Sequence, residues 1–349
     1  MLSPVYYYNM SENIARRKRI NLIKQIENQR SSKLISYITG DRAPFTTQIA
    51  DDAVRIIRKH LDAIGGQDRI SLFLYSKGGD MVTPLRLCRL IREYSDNFEV
   101  LIPYRAYSAA TLICLGADKI IMGKSSELSP IDPSTGHPFN PIDPSDPKKQ
   151  KRFTISVEDL TSYFLLAKEK AEVRNEQMVN VFNELANKIH PLALGNVYRG
   201  YRMIRDLAKK LLLLHMDKER DKHRMDEIIK KLTEELCIHG YLITRDEAKR
   251  EIGLNVEQPE EALERLMWHL YEEYEEKMKL RDSFDPLGML KDKQSVPLIY
   301  YGAYIESVSI SDTFLFKGEI EKVTPPSGPP QAGVNIRPVG WVEMFKGGG

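Results

Sequence analysis

The chain alternates between two hydrophobic periods. In TTQIADDAVRIIRKHLDAIGG, residues 46–66, apolar positions recur three to four apart, a threonine stands at the start and Gly65-Gly66 at the end, a helix signature. RISLFLYS is then an unbroken apolar run that reads as a buried strand, KGGD as a turn, MVTPLRLCRLIREYS as a helix and FEVLIP as a strand. SAATLICLGA reads as a helix and DKIIMG as a strand. Upstream, residues 11–31 carry a basic helical pattern, followed by SKLISYIT as a short strand. Strand and helix alternating over short connections predict an α/β fold with parallel pairing and crossover helices.

The pattern changes after residue 132. Residues 133–152 form a loop rich in Pro, Ser and Lys, and helical stretches are predicted at 156–189, 191–235 and 257–282. The second ends in DKERDKHRMDEIIKKLTEE, whose mixed charges suit a solvated face or a partner helix. In LMWHLYEEYEEKM, Leu266, Leu270 and Tyr274 recur every four residues and predict a core or intersubunit face. From Val296 onward PLIYYGAYIESVSISDTFLFKGEIEKV alternates as antiparallel strands do, with PPSGPPQAG interrupting and GGG at the end. The expected division is a basic helix at 1–32, a main α/β domain at 33–255, a helical extension at 256–295 and a β-rich segment at 296–349.

Composition narrows the class. With 349 residues, 42% hydrophobic and 29% charged, and a net charge of +2, the chain reads as a soluble globular protein with no bulk affinity for nucleic acid or an anionic membrane. The most apolar window, near 98–122, is broken by Arg105, Asp118 and Lys119 and does not predict a transmembrane segment. The N-terminus lacks the order of a secretion signal, and three cysteines (Cys88, Cys114, Cys237) in apolar segments read as reduced, buried thiols. A cytoplasmic protein is the expectation. GADKIIMGKSS fails as a phosphate loop on spacing and context, and a dinucleotide fingerprint is absent. No cofactor or metal is called for.

Two loops carry candidate chemistry. Tyr75-Ser76-Lys77-Gly78-Gly79-Asp80 leaves a predicted strand, and paired glycines bring backbone N–H groups close to a ligand. Ser108 follows another strand and precedes an apolar helix. In an open α/β sheet both loops fall on the same edge. Ser108 has two readings, a helix cap or a nucleophile flanked by the N–H groups of Gly79 and Ala109. Ala106 and Ala110 hold the glycine places of the G-x-S-x-G elbow, which disfavours an α/β-hydrolase.

LFLYSKGGDMVTPLRL, VLIPYRAYSAATLICLGADKIIMGKSSELSPIDP and ELCIHGYLITRDEAKREIGL together resemble the serine dehydrogenase proteinase family, which is similar to Clp-type peptidases and signal peptide peptidases. The resemblance covers about residues 30–255 and leaves the extreme N-terminus and everything after about 285 outside. It implies a Clp/crotonase-like spiral of parallel strands with crossover helices, here with a helical arm and a C-terminal β-rich extension. It also implies a serine peptidase with Ser108 as nucleophile, Gly79 (or Gly78) and Ala109 as the oxyanion hole, and Asp132 and His239 completing the triad. The chain departs from the family at Lys77, where proline is usual, and at Ala110 and Ser129, where glycine is usual.

Alternatives remain for the base. His190, before Pro191, and Lys77 compete with His239. His60 is expected on a helix surface, His215, His223 and His269 on solvated helical faces, and His137 in the loop. The resemblance implies a peptide or protein substrate and a closed homo-oligomer with contacts from the helices of 156–282; any ATPase partner is a separate chain. The rival classes are a catalytically silent scaffold that keeps the fold and binds a peptide, and acyl-CoA chemistry, which a hydroxyl at position 108 disfavours.

Overall fold

The computed structural model describes residues 4–131, 136–143, 145, 151–236, 240–323, 325, 329 and 331–346. In chain order these form α1 (Pro4–Arg30), β1 (Lys33–Thr39), α2 (Asp52–Ile64), β2 (Ile70–Tyr75), α3 (Thr83–Arg92), β3 (Phe98–Ile102), β4 (Arg105–Ala106), α4 (Ala109–Leu115), β5 (Lys119–Met122) and β6 (Glu127–Leu128). There follow α5 (Val157–Leu165), α6 (Met178–Lys188), α7 (Pro191–Leu212), α8 (Lys222–Lys230), β7 (Ile243–Thr244), the short α9 (Arg245–Glu247), β8 (Val256–Glu257), α10 (Glu261–Lys277), α11 (Pro286–Leu290), β9 (Ser295–Glu306), β10 (Ile310–Val323) and β11 (Gln331–Lys346).

Among the described residues, eight strands make one sheet in the order β11-β10-β9-β1-β2-β3-β5-β8. The pairs β1–β2, β2–β3, β3–β5 and β5–β8 are parallel, as the strand–helix alternation predicts. Every residue of β2 and β3 is buried because helices cover both faces. Strand alternation sorts the side chains. Ile35, Leu72, Val100 and Ile120 enter the core under α2, α3, α4 and α7, while Leu34, Phe73, Leu101 and Ile121 face α1 and α10. Each such side chain contributes about 1.5–3 kcal/mol through burial. The Leu270 and Tyr274 face of α10 is therefore core.

The C-terminal strands are antiparallel, as their alternation predicts, and they extend this same sheet: β9 pairs with β1, with Tyr37 opposite Ile305. The N-terminal helix joins the fold through a buried ion cluster. Arg19, fully buried, donates to Glu306 at 2.7 and 3.1 Å and to Glu12 at 2.7 Å. Tyr274 adds a hydroxyl to Glu306 at 2.9 Å.

Several element boundaries differ from expectation. The helix expected from Thr46 begins at Asp52, because the Thr47 hydroxyl is used elsewhere, bonded to the Gly40 N–H and the Gly302 carbonyl. The 156–189 stretch is two helices, the first opened by a Ser156–Asp159 capping box and the second separated from it by Glu172 at φ +50°. The 191–235 stretch breaks where the Asp217 carboxylate accepts the N–H groups of Glu219 and Arg220.

Candidate active site

The glycine turn is shaped by its neighbours. Ile49 lies beside it, donating its N–H to the Gly78 carbonyl at 2.9 Å and accepting the Asp80 N–H at 2.8 Å. In that parallel bridge Ile49 bonds to the residues on either side of Gly79, so Gly79's own N–H and C=O are directed to the edge opposite Ile49. That opposite edge is where Ser76 pairs with Ala106: Ser76 N–H to Arg105 O and Tyr107 N–H to Ser76 O, both 3.0 Å. Gly78 and Gly79 have φ of +109° and +150°. A Cβ on Gly79 would lie 2.1 Å from the Ile49 oxygen, and one on Gly78 would lie 2.9 Å from the Ser108 Cβ and 3.4 Å from the Ala109 nitrogen. Gly78 lets the turn approach the Ser108 loop, and Gly79 lets it approach Ile49.

Ser108 does not cap its helix. Its carbonyl accepts the Leu112 N–H at 3.0 Å, but its side chain makes no capping bond. The residue sits at φ +53°, ψ −111°, a conformation rare for a non-glycine residue and costing about 1–3 kcal/mol. The hydroxyl donates a weak bond to Met81 Sδ at 3.7 Å. The N–H groups of Gly79 and Ala109 bond to no described residue. A hydroxyl with the Ala109 amide next to it in the chain and the Gly79 amide on the adjoining turn, neither bonded to a described residue, can deliver a nucleophile and hold the oxyanion it creates.

The rim of the site is polar. Lys77 places its ammonium 2.8 Å from Asp41, which also accepts the Tyr75 hydroxyl at 3.2 Å. The Tyr107 hydroxyl donates to Glu127, and burial together with that bond pushes its pKa above the ordinary tyrosine range. Lys77 is thus occupied at the rim rather than at the serine.

The other candidate bases are placed as follows. His190 is the N-cap of α7: its Nδ1 accepts the Leu192 N–H at 3.2 Å and its ring stacks on Phe139 at 4.1 Å. His60, expected at a surface, is fully buried between Ser307 (2.8 Å) and Asp312 (3.0 Å), joining α2 to the β9–β10 hairpin. His215, expected in solvent, is mostly buried with Nε2 at 2.9 Å from the Leu115 carbonyl, and burial lowers its pKa. Among the described residues, no imidazole, ammonium or carboxylate bonds the Ser108 hydroxyl. Asp132 and His239 lie outside the described residues. So does Cys237; Cys88 and Cys114 are free and buried.

Contacts that pattern reading missed surround the serine. Ser129 Oγ accepts the Ser108 N–H at 2.8 Å, and Thr111 Oγ1 bridges the carbonyls of Ala106 (2.8 Å) and Ser129 (3.0 Å). The strands beside them, β4, β6 and β7, form a small separate sheet in which Ala106 pairs with Leu128 and Leu128 with Ile243.

Two curated relatives come from Methanocaldococcus jannaschii. The uncharacterized protein MJ0137 is 24% identical over 279 residues, covering 76% of this chain and 82% of that protein. The uncharacterized protein MJ1495 is 29% identical over 129 residues, 34% of this chain and 43% of that protein. A family model described as "ClpP-like SDH-type serine proteinase" matches residues 1–191. The match takes in the N-terminal helix that the sequence resemblance left outside, and it stops at the start of α7, short of residue 239. More than half the chain, with the glycine turn, Ser108 and residue 132, lies within it, and the chain belongs to the ClpP-like SDH-type serine proteinase family.

Proposed function

We propose that the protein is a serine peptidase. The observation that carries this is that, among the described residues, the amides of Gly79 and Ala109 have no hydrogen-bond partner, on two loops that meet at a serine that neither caps its helix nor adopts an ordinary conformation. Ser108 Oγ attacks the carbonyl carbon of a peptide bond while His239 takes the hydroxyl proton. Asp132 orients the imidazole and stabilises it once charged. The carbonyl oxygen becomes an oxyanion held by the N–H groups of Gly79 and Ala109. Collapse of the intermediate breaks the C–N bond, and His239 gives its proton to the leaving amine. Water, deprotonated by the same imidazole, then attacks the acyl-enzyme and releases the acid and the free serine.

The roles of Asp132 and His239 rest on the resemblance and on connectivity. Leu128 and Ile243 are directly paired in antiparallel strands. Residue 132 follows the first by four positions and residue 239 precedes the second by four. His190 is bound to its cap and Lys77 to Asp41, which favours His239 as base.

A serine-reactive fluorophosphonate probe tests the reading. The wild type is expected to label at Ser108 and Ser108→Ala not at all; a folded, unlabelled wild type supports the silent scaffold instead. A closed homo-oligomer belongs to the same proposal, because Leu166, Phe182 and Tyr198 expose large apolar surfaces on the helices of 156–282. Light scattering that returns a monomer mass of 40.1 kDa would remove it. Among the described residues no helix is long and apolar enough to cross a membrane. We place the protein in the cytoplasm and its substrates among peptides or proteins.

A further inference from the structure

Resting on the reading of Ser108 as nucleophile, we propose that Ser129 is a positioning residue: its Oγ accepts the Ser108 N–H and holds the nucleophile's main chain in the conformation that aims both the hydroxyl and the Ala109 amide. The bond is 2.8 Å long and buried at both ends. Its polarity is set, since the Ser129 hydroxyl donates its own hydrogen to the Pro130 carbonyl at 2.9 Å and offers a lone pair to Ser108. Ser129 is in turn fastened to α4. Thr111 Oγ1 contacts the Ser129 carbonyl at 3.0 Å and accepts the Ser129 N–H at 3.3 Å.

Ser108 at φ +53° has no intrinsic preference for its place in the chain. It stays there only while its surroundings over-determine it. Gly78, whose absent Cβ leaves room for the Ser108 Cβ, removes an obstacle but exerts no pull. The Leu112 N–H fixes the Ser108 carbonyl, on the far side of the residue from φ. Ser129 is the group that holds the Ser108 N–H. The φ and ψ of this one residue set the direction of the hydroxyl and of the next peptide, whose N–H is the proposed oxyanion donor. Releasing them therefore disturbs nucleophile and oxyanion hole together, through a side chain that is itself buried.

The test uses full-length wild type, Ser129→Ala, Ser129→Thr and Ser108→Ala, with fluorophosphonate labelling rates, peptide hydrolysis and thermal unfolding measured on each. Ser129→Ala is expected to lower kcat and the labelling rate constant by about tenfold or more with KM within about twofold, the signature of an interaction acting in the transition state. Ser129→Thr, which keeps the hydroxyl, is expected to recover most of the rate. Should Ser129→Ala not fold, Ser129→Cys, of similar volume but with a weak acceptor, is read the same way. A labelling rate in Ser129→Ala equal to wild type, a loss matching only its unfolded fraction, or a folded Ser129→Thr as slow as the alanine variant overturns the proposal while leaving Ser108 as nucleophile. A folded wild type that does not label at Ser108 overturns the nucleophile and this inference with it.

Discussion

Gly79→Ala isolates the contact on which the site depends. The new Cβ would stand 2.1 Å from the Ile49 carbonyl oxygen and 2.7 Å from its nitrogen, both backbone atoms with no rotamer to yield. Ordinary contact begins at 3.4 Å, so the two segments must part by more than an ångström. Such a shift breaks the Ile49–Gly78 and Asp80–Ile49 hydrogen bonds, now 2.9 and 2.8 Å. Losing two buried backbone bonds at about 1 kcal/mol each, together with a conformation that costs a non-glycine residue about 1–3 kcal/mol, destabilises the fold by about 3–5 kcal/mol. Gly65→Ala is the control: φ there is also positive, +73°, but nothing lies within 4 Å of its Cβ. It carries the backbone cost alone, about 1–3 kcal/mol, because φ +73° with ψ −177° is a conformation essentially confined to glycine. Urea unfolding of the three proteins measures the difference. In the folded fraction of Gly79→Ala the displaced amide should also lower kcat by about 100-fold. A Gly79→Ala protein no less stable than Gly65→Ala, with unchanged kcat, would refute the idea that Ile49 fixes the turn.

Arg19→Met removes the nearest counter-charge of the buried Glu306, leaving Arg16 at 3.7 Å, and should cost about 3–5 kcal/mol in urea unfolding at neutral pH. Burial pushes the Glu306 carboxyl up, and Arg19 together with the Ser311 and Tyr274 hydroxyls more than reverses it, so its folded pKa lies below the ordinary value. Such a group stabilises the wild type above its unfolded pKa of about 4.3, and that stability fades as pH falls below it. In Arg19→Met the largest opposing charge is gone and the carboxyl is pushed up relative to the wild type, so the gap between the proteins should narrow from pH 7 to pH 4; a constant gap contradicts the assignment. His190→Ala removes a helix cap and should lower stability by about 1 kcal/mol with kcat unchanged, whereas His239→Ala should abolish hydrolysis; the reverse pattern makes His190 the base. Burial pushes the Cys88 thiol up to about 12 and the Cys114 thiol higher still. Iodoacetamide at pH 8 on the native protein should therefore leave both unmodified in peptide mass maps, and modification of either without unfolding would contradict their burial.

Local signals made much of this architecture legible. β2 and β3 are short apolar runs between breakers, and α2 ends at Gly65, whose N–H returns to Leu61. Such features depend on residues a few positions apart. The glycine pair and Ser108 were visible for the same reason, each standing just past a strand. Some missed placements were also written locally. Ala53, Ile57, His60 and Leu61 share one buried stripe of α2, so a histidine at helical spacing from apolar neighbours was a core residue with polar partners to find. Along α1, Glu12, Arg16, Arg19, Ile23 and Ile26 are buried at alternating intervals of four and three. A basic run hid two arginines, Arg16 and Arg19, that belong to the interior.

Contacts between distant segments were not legible, and the details of the site are of this kind. Strands β4, β6 and β7 have two residues each, too short to show any alternation. Yet their pairing draws the ends of residues 129–242 together beside Ser108. The bridge from Ile49 to Gly79 and the bond from Ser108 to Ser129 arise in the same way, from chain segments with no sequence relation to each other. A serine after a strand can be found from its neighbours in the chain. Its peptide conformation cannot, because φ +53° is stable only through groups supplied by a separate loop. The nucleophile's identity is thus encoded within one segment, while its aim is encoded by residues that meet only after the sheet has formed. Ser129→Ala should accordingly change the rate of a correctly folded enzyme, although Ser129 stands 21 residues from Ser108 in sequence.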